Sequence, residues 1–170
     1  MKDIKKIEDI ENIVVEGAKI VYRNFSGKPS DFNRTGDRSF CLVIDDDKEA
    51  DRLSRIGWNI KVKEPKEEGG DKFIFLPVAV RFTHKPPVAY LINKSGHKVR
   101  LTEETIGDVD DLEIENIDLV IRPYVWEYNG NHGIKAYLKA LYVKGEENEL
   151  SSKYEEPSIP VSGDDEDVPF

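Results

Sequence analysis

Short segments in which apolar and polar residues alternate run through most of residues 1–145, and turn residues separate them. Alternation with a period of two, rich in Val, Ile and aromatic residues, is typical of β-strands that bury one face. Asp47–Ile56 has helical spacing instead, and Thr102–Thr105 predicts a capped turn that runs toward Asp111. Seven or eight strands with one or two small helices predict a single closed or partly closed antiparallel β unit. The predicted strands are Asn12–Tyr22, Arg38–Asp45, Trp58–Lys63, Phe73–Phe82, Val88–Ile92, Lys98–Leu101, Asp118–Tyr128 and Ile134–Lys144.

The last two predicted strands form a hairpin whose two faces differ in chemistry. Because side chains alternate across a strand, one face combines cations with aromatic rings and the other is apolar. With 129–132 as the turn, the predicted cross-strand pairs are Tyr128 with Gly133, Trp126 with Lys135, Tyr124 with Tyr137, and Arg122 with Lys139. The first face carries Arg122, Tyr124, Trp126, Tyr128, Lys135, Tyr137 and Lys139. The second face, predicted to be core, carries Leu119, Ile121, Pro123, Val125, Ala136, Leu138, Ala140 and Tyr142.

A sheet face that alternates cations with aromatic rings suits single-stranded nucleic acid. Unpaired bases stack on Tyr and Trp rings, and Lys and Arg neutralise the phosphates. Because stacking accepts any base, such a face binds a strand without reading its sequence. Tyr and Trp are also enriched at protein interfaces, so on the hairpin alone a dimer interface or an ordinary solvated face is an equal alternative.

Two other segments add candidates for the same surface. Alternation along Phe73–Phe82 leaves Phe73, Phe75 and Arg81 facing outward. It places five residues inward: Ile74, Leu76, Val78, Val80 and Phe82. A basic and aromatic loop between the first two strands lies where a flexible clamp on a bound strand would sit. The pattern leaves open whether Phe25 contacts nucleic acid or plugs the core, and it predicts that Trp58 is core. The added candidates are Phe75, Arg81, Arg23, Phe25 and Arg34.

Charge is distributed unevenly along the chain. The net charge is −9, but residues 146–170 contain nine acids and a single base, whereas residues 1–145 are almost neutral at −1. The acidic segment also holds three prolines and few apolar residues, so it buries too little surface to offset its chain entropy. We therefore predict a folded domain over residues 1–145 and a disordered acidic interaction tail over residues 146–170.

Several other classes of protein are disfavoured. The sequence contains no run of eighteen apolar residues and no signal peptide, and its single cysteine, Cys41, forms no internal disulfide, so we expect a soluble intracellular protein without membrane contact. The nearest enzyme alternative is a metal-dependent nuclease, but its carboxylates lie consecutively at a helix end, where solvation explains them. We expect no catalytic residue, metal or cofactor. The carboxylates and scattered histidines considered are Asp108, Asp110, Asp111, Glu113, His84, His97 and His132.

The sequence ends in a run of acids followed by an aliphatic residue, a proline and a phenylalanine. This ending resembles the C-terminal tip of bacterial single-stranded DNA-binding proteins. The resemblance implies that the ring and α-carboxylate of Phe170 enter an apolar pocket with a basic rim on a partner, while the acids steer the approach. The residues that carry it are Asp164, Asp165, Glu166, Asp167, Val168, Pro169 and Phe170.

The body resembles phage-encoded single-stranded DNA-binding proteins, including the segments Val15–Ile20, Asn59–Val62 and Ile121–Tyr124. This resemblance implies an all-β OB-fold, which is a five-stranded Greek-key barrel, here with inserted strands and one or two short helices. It also implies a non-enzymatic, sequence-independent binder of single-stranded DNA in the cytoplasm of a bacterial host. The tip would recruit replication, recombination and repair proteins of the polymerase, helicase, primase or recombinase class. The resemblance leaves open whether the chain forms homo-oligomers, and a protein–protein adaptor that uses the aromatic face as its interface is the alternative function.

Overall fold

Nine strands, one α-helix and one 3-10 helix make up the residues that the computed structural model describes, which are 10–29, 36–65 and 67–147. The predicted bounds of the α-helix and of the strands Val88–Ile92 and Lys98–Leu101 agree with those observed. The strands are β1 (Ile13–Val15), β2 (Ile20–Asn24), β3 (Arg38–Val43), β4 (Lys61–Lys63), β5 (Phe73–Val80), β6 (Val88–Ile92), β7 (Lys98–Leu101), β8 (Leu112–Tyr128) and β9 (Asn131–Glu147). The α-helix is α1 (Asp47–Ile56), and the 3-10 helix spans Ile106–Asp111.

The segment from β1 to β2 closes the barrel because it pairs on both sides. β1 pairs with β8, and β2 pairs with β3. In the strand order β1-β8-β9-β5-β3-β2, the two outermost strands, β1 and β2, therefore follow each other directly in the chain. Gly17, with φ at 64°, turns the chain between them, and its N–H donates to Oδ1 of Asp118 at 2.9 Å. The strands follow the Greek-key order of an OB-fold. The bent first strand continues into the antiparallel strands β2, β3 and β5, β5 pairs in parallel with β9, and β9 forms a hairpin with β8. The predicted OB-fold is confirmed, although the predicted strand Asn12–Tyr22 is two strands.

Two insertions enlarge the five-stranded barrel. The first, α1 with β4, lies between β3 and β5, and the second, the β6–β7 hairpin with the 3-10 helix, lies between β5 and β8. β5 pairs in parallel with β9 at Ala79, and β6 does so from Val88 to Ile92. The sheet is therefore mixed rather than wholly antiparallel as predicted, because the 81–87 loop places β6 along the same edge of β9 as β5.

Phe25 lies in the core rather than on the surface. Its side chain is fully buried and stacks on the equally buried Phe40, with ring centroids 5.2 Å apart. The hypothesis that Phe25 contacts nucleic acid is therefore wrong, and the alternative that it plugs the core is confirmed. Trp58 is buried as predicted, and Phe82 is half-buried at the margin of the core. The inward residues of β5 are buried as predicted: Ile74, Leu76, Val78 and Val80.

A two-residue turn, Asn129–Gly130, joins β8 to β9 in place of the predicted four-residue turn 129–132. Both residues have positive φ, 52° and 80°, as the type I′ turn favoured by an Asn-Gly pair requires. Cross-strand partners are therefore shifted by two residues from the predicted ones. Because side chains repeat every two residues along a strand, the shift changes the partners and keeps the faces near the turn. The observed pairs are Trp126 with Gly133, Tyr124 with Lys135, and Arg122 with Tyr137.

A β-bulge reverses the alternation in the second half of β9. The register between β8 and β9 shifts after Val120, and Lys139 is the extra residue. Past the bulge, Leu141 is fully buried and Tyr142 is 36% exposed. The prediction that Tyr142 is core is therefore wrong, because alternation inferred from sequence assumes an unbroken ladder. The prediction that Lys139 lies opposite Arg122 is also wrong, because the shorter turn places Tyr137 there.

The substitution Phe25→Ala is expected to lower the free energy of unfolding by about 3–5 kcal/mol, the usual cost of removing a Phe ring from a packed core. Urea denaturation followed by circular dichroism measures the change. Tyr128→Ala is the matched control, because it removes a ring that is 72% exposed near the hairpin turn, and it should cost less than about 0.5 kcal/mol. Equal losses for the two variants would contradict the assignment of Phe25 to the core.

Candidate nucleic-acid interface

The outer face of the β8–β9 hairpin is an ordered array of rings and cations centred on Tyr137. Cζ of Arg122 lies 4.7 Å from the centroid of the Tyr137 ring, and Nζ of Lys135 lies 5.5 Å from it. Tyr124 packs edge-on against Tyr137, with centroids 5.9 Å apart and planes at 79°. Such cation–π and edge-to-face contacts contribute about 0.5–1.5 kcal/mol each, so the side chains are held in place before any ligand arrives.

Trp126 packs over the backbone of its cross-strand partner, Gly133. A Cβ atom at position 133 would lie 2.9 Å from Cζ2 and 3.0 Å from Cε2 of the indole, so only glycine leaves room for the ring. Seating an aromatic ring over a glycine of the neighbouring strand is a recurrent packing device in sheets. Trp126 is nevertheless 40% exposed, so the ring is fixed by the hairpin and accessible to a ligand.

A groove of about 1060 Å³ crosses the outer face of the barrel between the β2–β3 strands and the β8–β9 hairpin. We call it the aromatic groove. Its floor consists of small residues from β3 and β5, namely Ser39, Pro77 and Ala79. Rings and cations also line it, namely Tyr22, Trp126, Arg38, Arg81 and Lys135, together with the acid Asp37. A floor of small residues between rings and cations suits an extended polymer with flat side groups and a negative backbone.

Tyr22 belongs to this surface although it was not among the predicted site residues. Its φ of 54° is unusual for a bulky residue, and it lies where the β2–β3 register shifts between Val21 and Asn24. The side chain is 60% exposed and packs edge-on against Phe73 and Phe75, with centroids 6.3 and 6.4 Å away. Only the aromatic composition of its segment could have indicated this role, because a bulge cannot be recognised from a period of two.

The remaining predicted site residues differ in where the structure places them. Arg81 lines the aromatic groove, and Phe75 faces outward as predicted. Arg23 does not line the groove: it is half-buried, and its Nη1 donates to the carbonyl oxygens of Val109 at 2.8 Å and Leu112 at 3.0 Å. Its guanidinium therefore holds the 3-10 helix to β2, which is a structural role in place of the predicted contact. Outside the described residues lie Arg34 and the tip residues Asp164, Asp165, Glu166, Asp167, Val168, Pro169 and Phe170.

One of the carboxylates considered for a nuclease, Asp110, has a structural role. Asp110 accepts hydrogen bonds from the N–H of Phe25 at 2.7 Å and from the N–H and Oγ of Ser26 at 3.1 and 2.8 Å. Burial raises the pKa of Asp108, and the neighbouring charge of Asp111 raises it further. Within residues 10–29, 36–65 and 67–147, no three His, Cys, Asp or Glu side chains are placed to hold a metal ion. No helix in the same ranges is long and apolar enough to span a membrane.

These features define a class of protein. An OB-fold barrel with an open outer surface belongs to the folds that bind oligonucleotides or oligosaccharides. The sequence then identifies the family, because the model of the phage ssDNA-binding domain matches residues 1–168. The chain belongs to that family, which confirms the resemblance to phage-encoded proteins. No curated protein matches the sequence.

Two phage proteins are among the solved structures that the chain matches. The single-stranded DNA-binding protein from bacteriophage Enc34 is 14% identical, with 80% of this chain and 82% of that chain covered and a TM-score of 0.49. The same protein in complex with ssDNA is 17% identical, with 80% and 87% covered and a TM-score of 0.48. The single-stranded DNA-binding protein gp2.5 of bacteriophage T7 is 13% identical, with 89% and 99% covered and a TM-score of 0.39. The family assignment rests on the sequence match alone.

Proposed function

We propose that the chain binds single-stranded DNA without sequence preference, along the aromatic groove and the outer face of the β8–β9 hairpin. The observation that carries the proposal is the fixed array in which Arg122 and Lys135 flank Tyr137 while Trp126 stands exposed beside them. Membership of the phage ssDNA-binding domain family supports the same ligand. The protein would act in the cytoplasm of the infected cell.

Each part of the interface has a distinct task in this proposal. Trp126 and Tyr124 offer ring surfaces on which unpaired bases stack, worth about 1–3 kcal/mol per base. Lys135 and Arg81 meet the phosphates and release their counterions. Small floor residues such as Ala79 let the backbone of the strand lie close to the sheet. A duplex has its bases stacked on each other already, so it gains the phosphate contacts without the ring contacts.

Binding to single-stranded oligo(dT) is expected to exceed binding to a duplex of equal length at every salt concentration. Fluorescence anisotropy over a series of NaCl concentrations measures both affinities and their salt slopes. The slope should correspond to about 0.7 counterions released per phosphate contact on a single strand. Equal affinity for single strand and duplex would contradict stacking as the mechanism. An adaptor that uses this face for protein would bind neither.

Ring and charge substitutions should have separable effects. Trp126→Ala and Tyr124→Ala are each expected to weaken oligo(dT) binding by about 1–3 kcal/mol, with an unchanged salt slope, because each removes a stacking surface. Lys135→Ala should instead lower the slope by about 0.7, because it removes one phosphate contact. Lys48→Ala, which removes an exposed cation from α1, is the control and should do neither.

If Trp126→Ala and Tyr124→Ala bind oligo(dT) normally but unfold at lower temperature, the rings serve the fold and the proposed face is wrong.

We propose further that residues beyond β9 form an acidic tail whose tip recruits replication, recombination or repair proteins. The support is the sequence pattern, an acidic run that ends in Val168, Pro169 and Phe170. β9 extends to Glu147, two residues past the predicted boundary, so the tail is better taken as residues 148–170, with seven acids and one base. Attraction between this tail and the cations of the interface would compete with DNA at low ionic strength.

Deletion of residues 148–170 is expected to strengthen oligo(dT) binding at low salt, and the gain should shrink as salt rises. Deletion of Phe170 alone should leave DNA affinity unchanged, because it removes a ring and none of the acidic side chains. The same deletion should abolish capture of any partner that binds the tip through a pocket, as measured by pull-down from host-cell extract. Identical partner sets for the intact protein and the Phe170 deletion would contradict a role for the tip.

A further inference from the structure

A second group of rings and cations lies on the β6–β7 insertion. The rings of Tyr90 and Tyr142 are stacked with centroids 5.9 Å apart and planes 10° from parallel. Nζ of Lys98 lies 4.2 Å from the centroid of the Tyr90 ring, and Cζ of Arg100 lies 5.5 Å from it. Lys98 and Arg100 are exposed, and Tyr142 is 36% exposed despite its stacking partner. We call these four residues the insertion patch.

The insertion patch continues the outer face of the β8–β9 hairpin. Before the bulge, Lys135 and Tyr137 point outward from β9, and after it Tyr142 and Lys144 do. At about 3.3 Å per residue, Tyr142 lies about 16 Å along the strand from Tyr137. Lys139, the exposed bulge residue, stands between them. The two groups are therefore consecutive sections of one surface.

The charge of this surface is opposite to that of the whole chain. Residues 72–102, which contain β5, β6 and β7, hold six Lys and Arg residues and no Asp or Glu. Residues 128–145, which contain most of β9, hold three lysines and no acid. Five of these nine cations lie on β7 and β9, and the other four lie beside β5 and β6 or in the loops next to them, in a chain whose net charge is −9. The strands themselves are neighbours, because β5 and β6 pair with β9 and β7 pairs with β6.

An acidic residue, Asp118, bounds the insertion patch on its β8 side. Asp118 pairs with Tyr142, and its Oδ1 accepts hydrogen bonds from the N–H of Gly17 at 2.9 Å and from Nδ2 of Asn116 at 3.0 Å. A polyanion on this face would therefore lie toward β6 and β7, over Lys98 and Arg100, rather than toward β8.

We propose that the insertion patch is a second subsite for single-stranded DNA, which takes the strand as it leaves the aromatic groove. A base packs on the stacked pair of Tyr90 and Tyr142, and Lys98 and Arg100, which flank Tyr90, hold the adjacent phosphates. The proposal rests on the proposed function, since it extends the same ligand along the same face. Charge and continuity with the aromatic groove favour this occupant over a second copy of the chain.

Two lengths of oligo(dT) separate the subsites, one of about 6 nucleotides and one of about 16 nucleotides, near the upper end of the range for an OB-fold. Tyr142→Ala is expected to weaken binding of the long oligonucleotide about tenfold and to leave the short one unchanged. The double variant Lys98→Ala/Arg100→Ala should lower the salt slope for the long oligonucleotide by about 1.4 and leave the slope for the short one unchanged. Trp126→Ala should weaken both.

Two matched variants control for folding and for charge. Tyr142→Phe keeps the ring and should retain the affinity of the intact protein. A loss of affinity in this variant would mean that the hydroxyl, rather than the ring, makes the contact. Lys48→Ala/Arg55→Ala removes the same two charges from exposed positions of α1 and should leave both oligonucleotides unaffected.

Three outcomes overturn the inference. In the first, Tyr142→Ala and the Lys98/Arg100 variant bind both lengths like the intact protein, while Trp126→Ala weakens both. The proposed DNA binding would then be supported and the second subsite would be contradicted. If those variants instead change the sedimentation mass without changing DNA affinity, the patch is a self-association surface. If the intact protein binds neither length, the proposed function itself fails.

Discussion

β9 is the strand on which the rest of the structure depends, because each of its edges and each of its faces is used. It pairs with β8 along one edge, and with β5 and then β6 along the other. Its inward residues fill the core, and its outward residues supply much of the candidate interface. The single extra residue at Lys139 makes both halves of the strand compatible with one core, because it lets Leu138 and Leu141 both point inward. Core packing and the interface are therefore coupled through one backbone irregularity.

The fold could be predicted where local chemistry decides it. α1 begins after Asp46, whose side chain accepts from the N–H of Lys48, and ends at Gly57, so its bounds were readable from capping residues. The β8–β9 hairpin was predictable from alternation, whereas its two-residue turn was missed although the Asn-Gly pair is the usual signal for it. Two features could not be predicted from the sequence, namely the break between β1 and β2 at Gly17 and the parallel pairing of β6 with β9. Both depend on how distant strands meet rather than on neighbouring residues.

The candidate site was predictable to the extent that a strict period of two holds. Near the hairpin turn it does, and the side chains from Arg122 to Trp126 lie on the predicted face despite the shifted partners. It fails at two of the three register shifts: Tyr142 joins the outer surface past the bulge in β9, and Tyr22 does so where β2 and β3 shift register. Phe25 was ambiguous because a ring beside cations has the same composition whether it is buried or exposed.

The net charge of −9 conceals the electrostatic character of the interface, because a bound phosphate responds to charges within about a Debye length, roughly 10 Å at 0.1 M salt. The acids are clustered in the sequence, because residues 103–118 hold eight acids and no Lys or Arg. These residues include the 3-10 helix and the N-terminal part of β8. The acid-free segments form most of β9 and the strands on its other edge, β5 and β6, together with β7. A phosphate over the Tyr137 array would therefore lie beside Arg122 and Lys135 and away from most of the acids. Local charge on this face, and not the sum over the chain, determines whether a polyanion is attracted to it.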